Sequence, residues 1–301
     1  MFVIRFKKFF IGLSIFFVLA AIASFAIFKL PLGIDFTGGS ALDVEYSGAR
    51  PTTAVVSAAI EHAGFTNSLV QPVGEHGYMI QTREVSDTER AVIVAAAASV
   101  DPKQTVTQTS FTSIGPSVGK ELKSKSIASI ILVLIAIILF VAYAFRKVSQ
   151  PISSWKYGIA VIIALVHDII IPVGAFALLG HFYGAQVDTL FIVALLTTLG
   201  LSVSDTIVVF DRIREHLNGS KAKMPFPELV GESLSETFVR SINTSFVVLV
   251  MVIALAIFGP DTTRLFAITL AIGMFFGTYS SIFLASPLLV VMEGAQDKKK
   301  K

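Results

Sequence analysis

The apolar positions of this chain follow two regimes. Six stretches are almost continuously apolar: about Phe9 to Phe28, Ile127 to Phe145, Tyr157 to Leu179, Thr189 to Phe210, Phe238 to Phe258 and Leu265 to Met292. Each can cross roughly 30 Å of hydrocarbon as a helix of about 20 residues. Between the first and second stretches the pattern is that of a water-soluble fold. Leu42, Val44 and Tyr46 alternate with Asp43 and Glu45, the period of a half-buried strand. Val56, Ala59, Ile60 and Ala63 keep the spacing of a helix face, stopped by Gly64. Two further strands, "SLVQPV" and "YMIQT", flank the turn "GEHG", and Pro72 places the first of them at a sheet edge. Ser86 with Glu89 makes a capping box for a second helix, whose predicted face is Val92, Ala95 and Ala96. A last strand, "QTVTQTSF", completes the order βαββαβ, which points to a ferredoxin-like fold.

The expectation is therefore an α-helical polytopic membrane protein. It has six transmembrane helices and an extracytoplasmic ferredoxin-like α+β (βαββαβ) domain between helices 1 and 2. The divisions fall at 1–30 for the N-terminus and first helix, 31–126 for the α+β domain, 127–293 for helices 2 to 6, and 294–301 for a basic tail.

Composition agrees. With 54% hydrophobic and 15% charged residues and a mean hydropathy of +0.76, a soluble domain is excluded. The absence of cysteine excludes disulfides and thiolate metal sites. Nothing in the pattern calls for a metal, another cofactor or nucleic acid. "MFVIRFKK" followed by "ASFA" imitates a signal peptide, but the apolar run exceeds the roughly 7 to 15 residues of a signal core, so a retained helix is expected.

The net charge of +3 matters less than its placement. Arg5, Lys7 and Lys8 precede the first helix, and Arg146, Lys147 and Lys156 lie between the second and third. Arg212, Arg214, Lys221 and Lys223 lie between the fourth and fifth, and Lys298 to Lys301 close the chain. Threading six helices puts all these groups on one side, which the positive-inside rule makes cytoplasmic, termini included. "GHFYGAQVD" and "GPDTTR" are then short loops on the other side, with the α+β domain.

The stretch "GIDFTGGS", Gly33 to Ser40, has the glycines and hydroxyls of a phosphate cradle. It leads from a membrane helix into a strand, however, with no lysine after it and no following helix predicted. Its glycines instead suit a tight junction needing positive φ or close backbone approach, with Asp35 fixing the turn through its side chain. Gly33, Asp35, Thr37, Gly38 and Gly39 are its candidate residues.

Ionisable groups inside a bilayer cost at least about 2.5 kcal/mol and so mark function. Asp205 lies in the fourth stretch, where Thr198, Ser202 and Asp205 share a face running toward Arg212. Arg240 begins the fifth, with Asn243 and Thr244 on its own face. Opposite helix directions bring Asp205 and Arg240 to similar depth, within reach of each other. A nearby cation favours a charged carboxylate and burial opposes it, so Asp205 has the setting of a proton carrier. His167 and Asp168 in "ALVHDIIIPVGAF" are secondary candidates that, as sequence neighbours, are expected on different faces, with Pro172 one turn later as a site for a kink. The small residues Gly200, Gly273 and Gly277 are expected to allow close helix packing and sliding.

Five motifs together, "GIDFTGGS", "SIGPSVGKEL", "ALVHDIII", "DTIVVFDRIRE" and "RSINTS", resemble SecF proteins of the SecD/SecF family, within the resistance-nodulation-division superfamily. The resemblance spans nearly the whole chain in order and topology. It implies a non-enzymatic subunit of the bacterial cytoplasmic membrane that acts with SecD. That pair uses the proton-motive force to draw unfolded preproteins through the SecYEG channel after the ATPase SecA, among membrane lipids, with YajC and YidC as further candidate partners. It also implies that Asp205 and Arg240 carry the proton coupling. The motion is expected to pass through the first helix and the glycine junction to the α+β domain. Two rivals are weaker. A small-molecule or lipid exporter of the same superfamily usually has twelve helices and two large outer domains. An intramembrane aspartyl protease using Asp168 and Asp205 needs a Gly-x-Gly-Asp motif, where this chain has "LSVS" before Asp205.

Overall fold

The computed structural model describes residues 2–146, 154–219, 221 and 223–300, without the side chains of 154 and 295–300. The positive-inside residues Lys147 and Lys301 lie outside the described residues, and the side chains of Lys298, Lys299 and Lys300 are not described. In chain order the elements are α1 Phe2–Arg5, α2 Lys7–Phe28, α3 Ile34–Thr37, β1 Gly39–Tyr46, α4 Thr53–His62, β2 Leu69–Val73, β3 Gly77–Thr82, α5 Asp87–Ser99 and β4 Val106–Ile114. Then follow α6 Pro116–Ala144, α7 Ser154–Tyr183, α8 Thr189–Asn218, α9 Phe226–Phe258, α10 Asp261–Tyr279, a π-helical segment Ser280–Ala285, and α11 Ser286–Lys300. Among the described residues six spans are long and apolar enough to cross a membrane: Lys7–Phe28, Pro116–Ala144, Trp155–Tyr183, Thr189–Asn218, Phe226–Phe258 and Asp261–Gly294. All six match the predicted stretches, but several helices run longer. The second starts at Pro116 rather than Ile127, and the fifth at Phe226 rather than Phe238, because the polar residues in these extensions are themselves good helix formers.

The chain divides into two compact units. One comprises 31–128 with 186–189, and the other 1–30, 129–185 and 190–301. The first unit is a four-stranded antiparallel sheet in the order β2-β3-β1-β4, with Pro72 on an edge strand as expected. Leu42, Val44 and Tyr46 are buried, as the alternation predicts, and pack with Val56 and Ile60 of α4 and Ile93 and Ala97 of α5. Burying each large side chain contributes about 1.5–3 kcal/mol. The opposite faces of β1 and β3 keep Asp43, Glu45, Met79 and Gln81 partly or fully exposed, so the helices cover one side of these strands. Burial pushes the Asp43 carboxyl above its ordinary range and the Tyr46 phenol up to about 12, while Tyr46 Oη donates to the Ala97 carbonyl at 2.9 Å and ties β1 to α5.

The capping box forms as predicted. Ser86 Oγ accepts from the Glu89 N–H, and Glu89 Oε2 accepts from the Ser86 N–H at 2.8 Å. The face of α5 is displaced by one residue from the predicted one. Ile93 and Ala97 are buried while Val92 is 47% exposed, because a run of alanines offers the packing no stronger alternative. The final strand also begins two residues later than expected and continues to Ile114.

In the second unit α2 packs on α7, where Gly174 lets the backbone of Ala21 approach and Ser24 Oγ donates to the Gly174 carbonyl at 2.7 Å. α7 runs as helix through Pro172. Gly273 of α10 abuts Thr198 of α8, and Gly277 abuts Ser202, so two of the three predicted small-residue contacts form. Gly200 does not take part, since a Cβ there would meet nothing within 4 Å.

Candidate functional site

Two carboxylates sit among the membrane-spanning helices with separate partners. Asp168 on α7 is fully buried and His167 is 2% exposed. Contrary to the expectation that these neighbours diverge, His167 Nδ1 and Asp168 Oδ1 lie 2.9 Å apart. Successive Cβ atoms on a helix point apart, yet the imidazole and carboxylate are long enough to bend toward each other between helices. The other carboxylate oxygen, Oδ2, accepts from Ser202 of α8 and from Ser280 at 2.9 Å. His167 stacks on Tyr279 with ring centroids 6.0 Å apart, and its Nε2 has no hydrogen-bond partner among the described residues. Asp168 thus joins α7, α8 and the π-helical segment.

Ser280 and Ser281 were not visible as site residues in the sequence. They read as ordinary hydroxyls in an apolar helix, and no local signal announces a π segment. It is the wider π turn, common near functional sites, that presents both hydroxyls inward. Ser281 Oγ donates to the Ser202 carbonyl at 3.2 Å and lies 2.8 Å from Thr206 Oγ1.

Asp205, one turn beyond Ser202 on α8, is half-buried. Its Oδ2 accepts from Ser245 Oγ on α9 at 3.0 Å, and Ser245 Oγ accepts in turn from Thr278 Oγ1 on α10 at 2.7 Å. The predicted direct approach of Arg240 to Asp205 is not made. Arg240 is exposed and forms no ion pair with Asp205. Thr244 Oγ1 returns to the Arg240 carbonyl at 2.7 Å, and Asn243 is exposed, so neither joins the Asp205 chain. The polar stripe also ends differently from its expected course. Ser202 turns to Asp168, while Arg212 pairs with Glu215 and Glu236, and Lys221 pairs with Glu232 and Glu236.

The junction stretch holds one turn of helix, α3, where none was predicted. Thr37 Oγ1 donates to the Gly33 carbonyl at 3.0 Å and closes that turn. Gly38 and Gly39 have φ of +75° and +129°, the conformations the sequence called for. A Cβ on Gly38 would meet Pro116 Cα at 2.8 Å, and one on Gly39 would meet the Thr82 carbonyl at 2.6 Å. Asp35 Oδ2 accepts from the Thr189 N–H at 2.8 Å and from Thr189 Oγ1 at 2.7 Å, so its side chain fixes the first residue of α8, while Thr37 closes the turn that Asp35 was expected to fix.

Residues 93–295 match the family model described as protein export membrane protein SecD/SecF, C-terminal, and residues 23–49 match the SecD/SecF GG motif, which contains this junction. The chain belongs to the SecD/SecF family. Among relatives, Protein translocase subunit SecF of Anaerolinea thermophila is 38% identical over 95% of this chain and 92% of its own length. Its counterpart in Thermobaculum terrenum is 39% identical over 97% and 93%. The crystal structure of SecDF, a translocon-associated membrane protein from Thermus thermophilus, superposes with a TM-score of 0.84 at 28% identity, over 97% of this chain. The chain spans 38% of the length of that SecDF chain. The ferredoxin-like sheet and six spans of this SecF-like chain are thus a shared architecture.

Proposed function

We propose that this chain is a SecF subunit of the protein-export machinery, partnered by SecD at the Sec translocon and using the proton-motive force to assist late stages of preprotein export. Its work is mechanical rather than enzymatic. It resides in the bacterial cytoplasmic membrane with both termini cytoplasmic and the α+β unit on the far side. SecYEG, SecA, YajC and YidC belong to the same proposal, through the family resemblance alone.

The observation that carries the proton-coupled reading is the hydrogen-bond chain from Asp205 through Ser245 to Thr278. With Asp205 ionised, Ser245 must donate to the carboxylate, so Thr278 must donate to Ser245. When Asp205 takes a proton, its hydroxyl donates to Ser245, Ser245 turns its hydrogen to Thr278, and Thr278 falls back on the Met274 carbonyl, already 2.9 Å away. The chain reverses polarity without leaving a donor idle. Asp168, closed in by three donors, is the structural counterpart that keeps α7, α8 and the π segment together.

The test is preprotein translocation in proteoliposomes containing the channel, SecA and the chain with its SecD partner. Asp205→Asn, fixed in the neutral form, is expected to abolish stimulation by an imposed proton gradient while leaving ATP-driven translocation intact. Full stimulation would refute the reading.

A further inference from the structure

We infer that Asp35 is a positioning residue for the coupling proposed above. Its carboxylate holds the start of α8, the helix that carries Asp205, to the Gly33–Gly39 turn, so that movement of α8 reaches β1 through Asp35 rather than through α2. The inference rests on the proton-coupled reading and adds a route to it.

Three observations converge. The first is the pair of hydrogen bonds from Asp35 to the N–H and hydroxyl of Thr189. The first N–H groups of a helix have no partner within it, and a carboxylate there is favoured by the helix dipole. The second is a set of backbone ties that bring the same two segments together. The Gly33 N–H donates to the Val187 carbonyl at 2.9 Å, the Val187 N–H donates to the Pro31 carbonyl at 2.8 Å, and Leu32 pairs with Val187 in a parallel bridge. A Cβ at Gly33 would lie 3.0 Å from that Val187 carbonyl, which leaves little room for any other residue.

The third is the rigidity of what lies on either side. From Thr189 to Asp205 the chain is uninterrupted helix, about 24 Å at 1.5 Å per residue, so a displacement at one end moves the other. The Gly33–Gly39 turn is fixed by Thr37 and crowded at Gly38 and Gly39, and it runs directly into β1. By contrast α2 ends at Phe28, the φ of 60° at Lys29 turns the chain out of the helix, and no helix resumes before Ile34. A non-helical link transmits displacement poorly compared with a continuous helix.

The test uses the full chain with its SecD partner in the proteoliposome assay, with Asp35→Ala, Thr189→Val and the double variant. A cysteine placed at Phe246, near Ser245 in this cysteine-free chain, carries a fluorophore that reports pH-driven change at the Asp205 end. Asp35→Ala is expected to lower gradient-stimulated translocation about ten-fold, the scale of losing hydrogen bonds to a charged group. ATP-driven translocation and the fluorophore response should persist, and Thr189→Val should add little in the Asp35→Ala background. Full stimulation by Asp35→Ala alongside none by Asp205→Asn would overturn this inference alone. Equal losses with and without the gradient would reduce Asp35 to a structural cap and also overturn it. Full stimulation by Asp205→Asn would bring down the proton-coupled reading and this inference with it.

Discussion

Gly273 of α10 lies against Thr198 of α8 so closely that a Cβ on the glycine would overlap the threonine hydroxyl. Gly200, on the same helix as Thr198, has open space where its side chain would be. Overpacking a close contact costs about 1–3 kcal/mol. Gly273→Ala is therefore expected to destabilise the purified chain by that amount in thermal unfolding in detergent. Gly200→Ala should be neutral or stabilising by up to about 1 kcal/mol, since alanine is the better helix former.

Asp168 satisfies Ser202, Ser280 and His167 at once. Removing it strands several buried donors, each costing about 1–3 kcal/mol. Asp168→Ala should therefore lower stability by about 3 kcal/mol or more, read as a fall in melting temperature. Asp205→Asn keeps a partner in Ser245, and its cost should stay within about 1 kcal/mol. Similar losses for the two would show that burial does not divide their roles as described.

The capping box of α5 has a definite pH dependence. Hydrogen bonds from Arg83 and Ser86 hold the Glu89 carboxyl at about 2, below its ordinary value of 4.5. A depressed carboxylate stabilises the fold above its unfolded value and loses that contribution as pH falls through its folded value. The local stability of α5 should therefore decline from about pH 4.5 down to pH 2. A fluorophore on a cysteine introduced at the exposed Ala95, followed during thermal unfolding of the full chain, should show that decline in the native sequence and lose most of it in Glu89→Gln.

The α+β unit was legible because its signals are local. The alternation at Leu42, Val44 and Tyr46 needs only one strand with one buried face, and Ser86 with Glu89 needs only one helix start. The six spans were legible from length alone. What escaped depends on which helices meet. A helical projection separates His167 from Asp168, and only the surrounding helices make the two side chains converge. Gly273 and Gly277 were expected as contact points and are, but nothing in the sequence separates them from Gly200, which makes no such contact, or singles out Gly174, which does. Asp205 was identified by the cost of its charge in a membrane, but its partner Ser245 was missed because a serine on an apolar helix costs little and marks nothing. Arg240 was assigned by depth, and depth does not establish contact.

If Asp205, and not Asp168, exchanges the proton as proposed, its protonation has a direct infrared signature. Infrared difference spectra of the chain with its SecD partner, recorded between acidic and alkaline conditions in a lipid bilayer, observe the carboxyl C=O stretch of a protonated aspartic acid directly. The expected result is a band that appears on acidification, disappears in Asp205→Asn, and shifts in Ser245→Ala as the hydroxyl partner is lost. A band unchanged in Asp205→Asn but abolished in Asp168→Asn would contradict it and move the proton site to the His167–Asp168 pair.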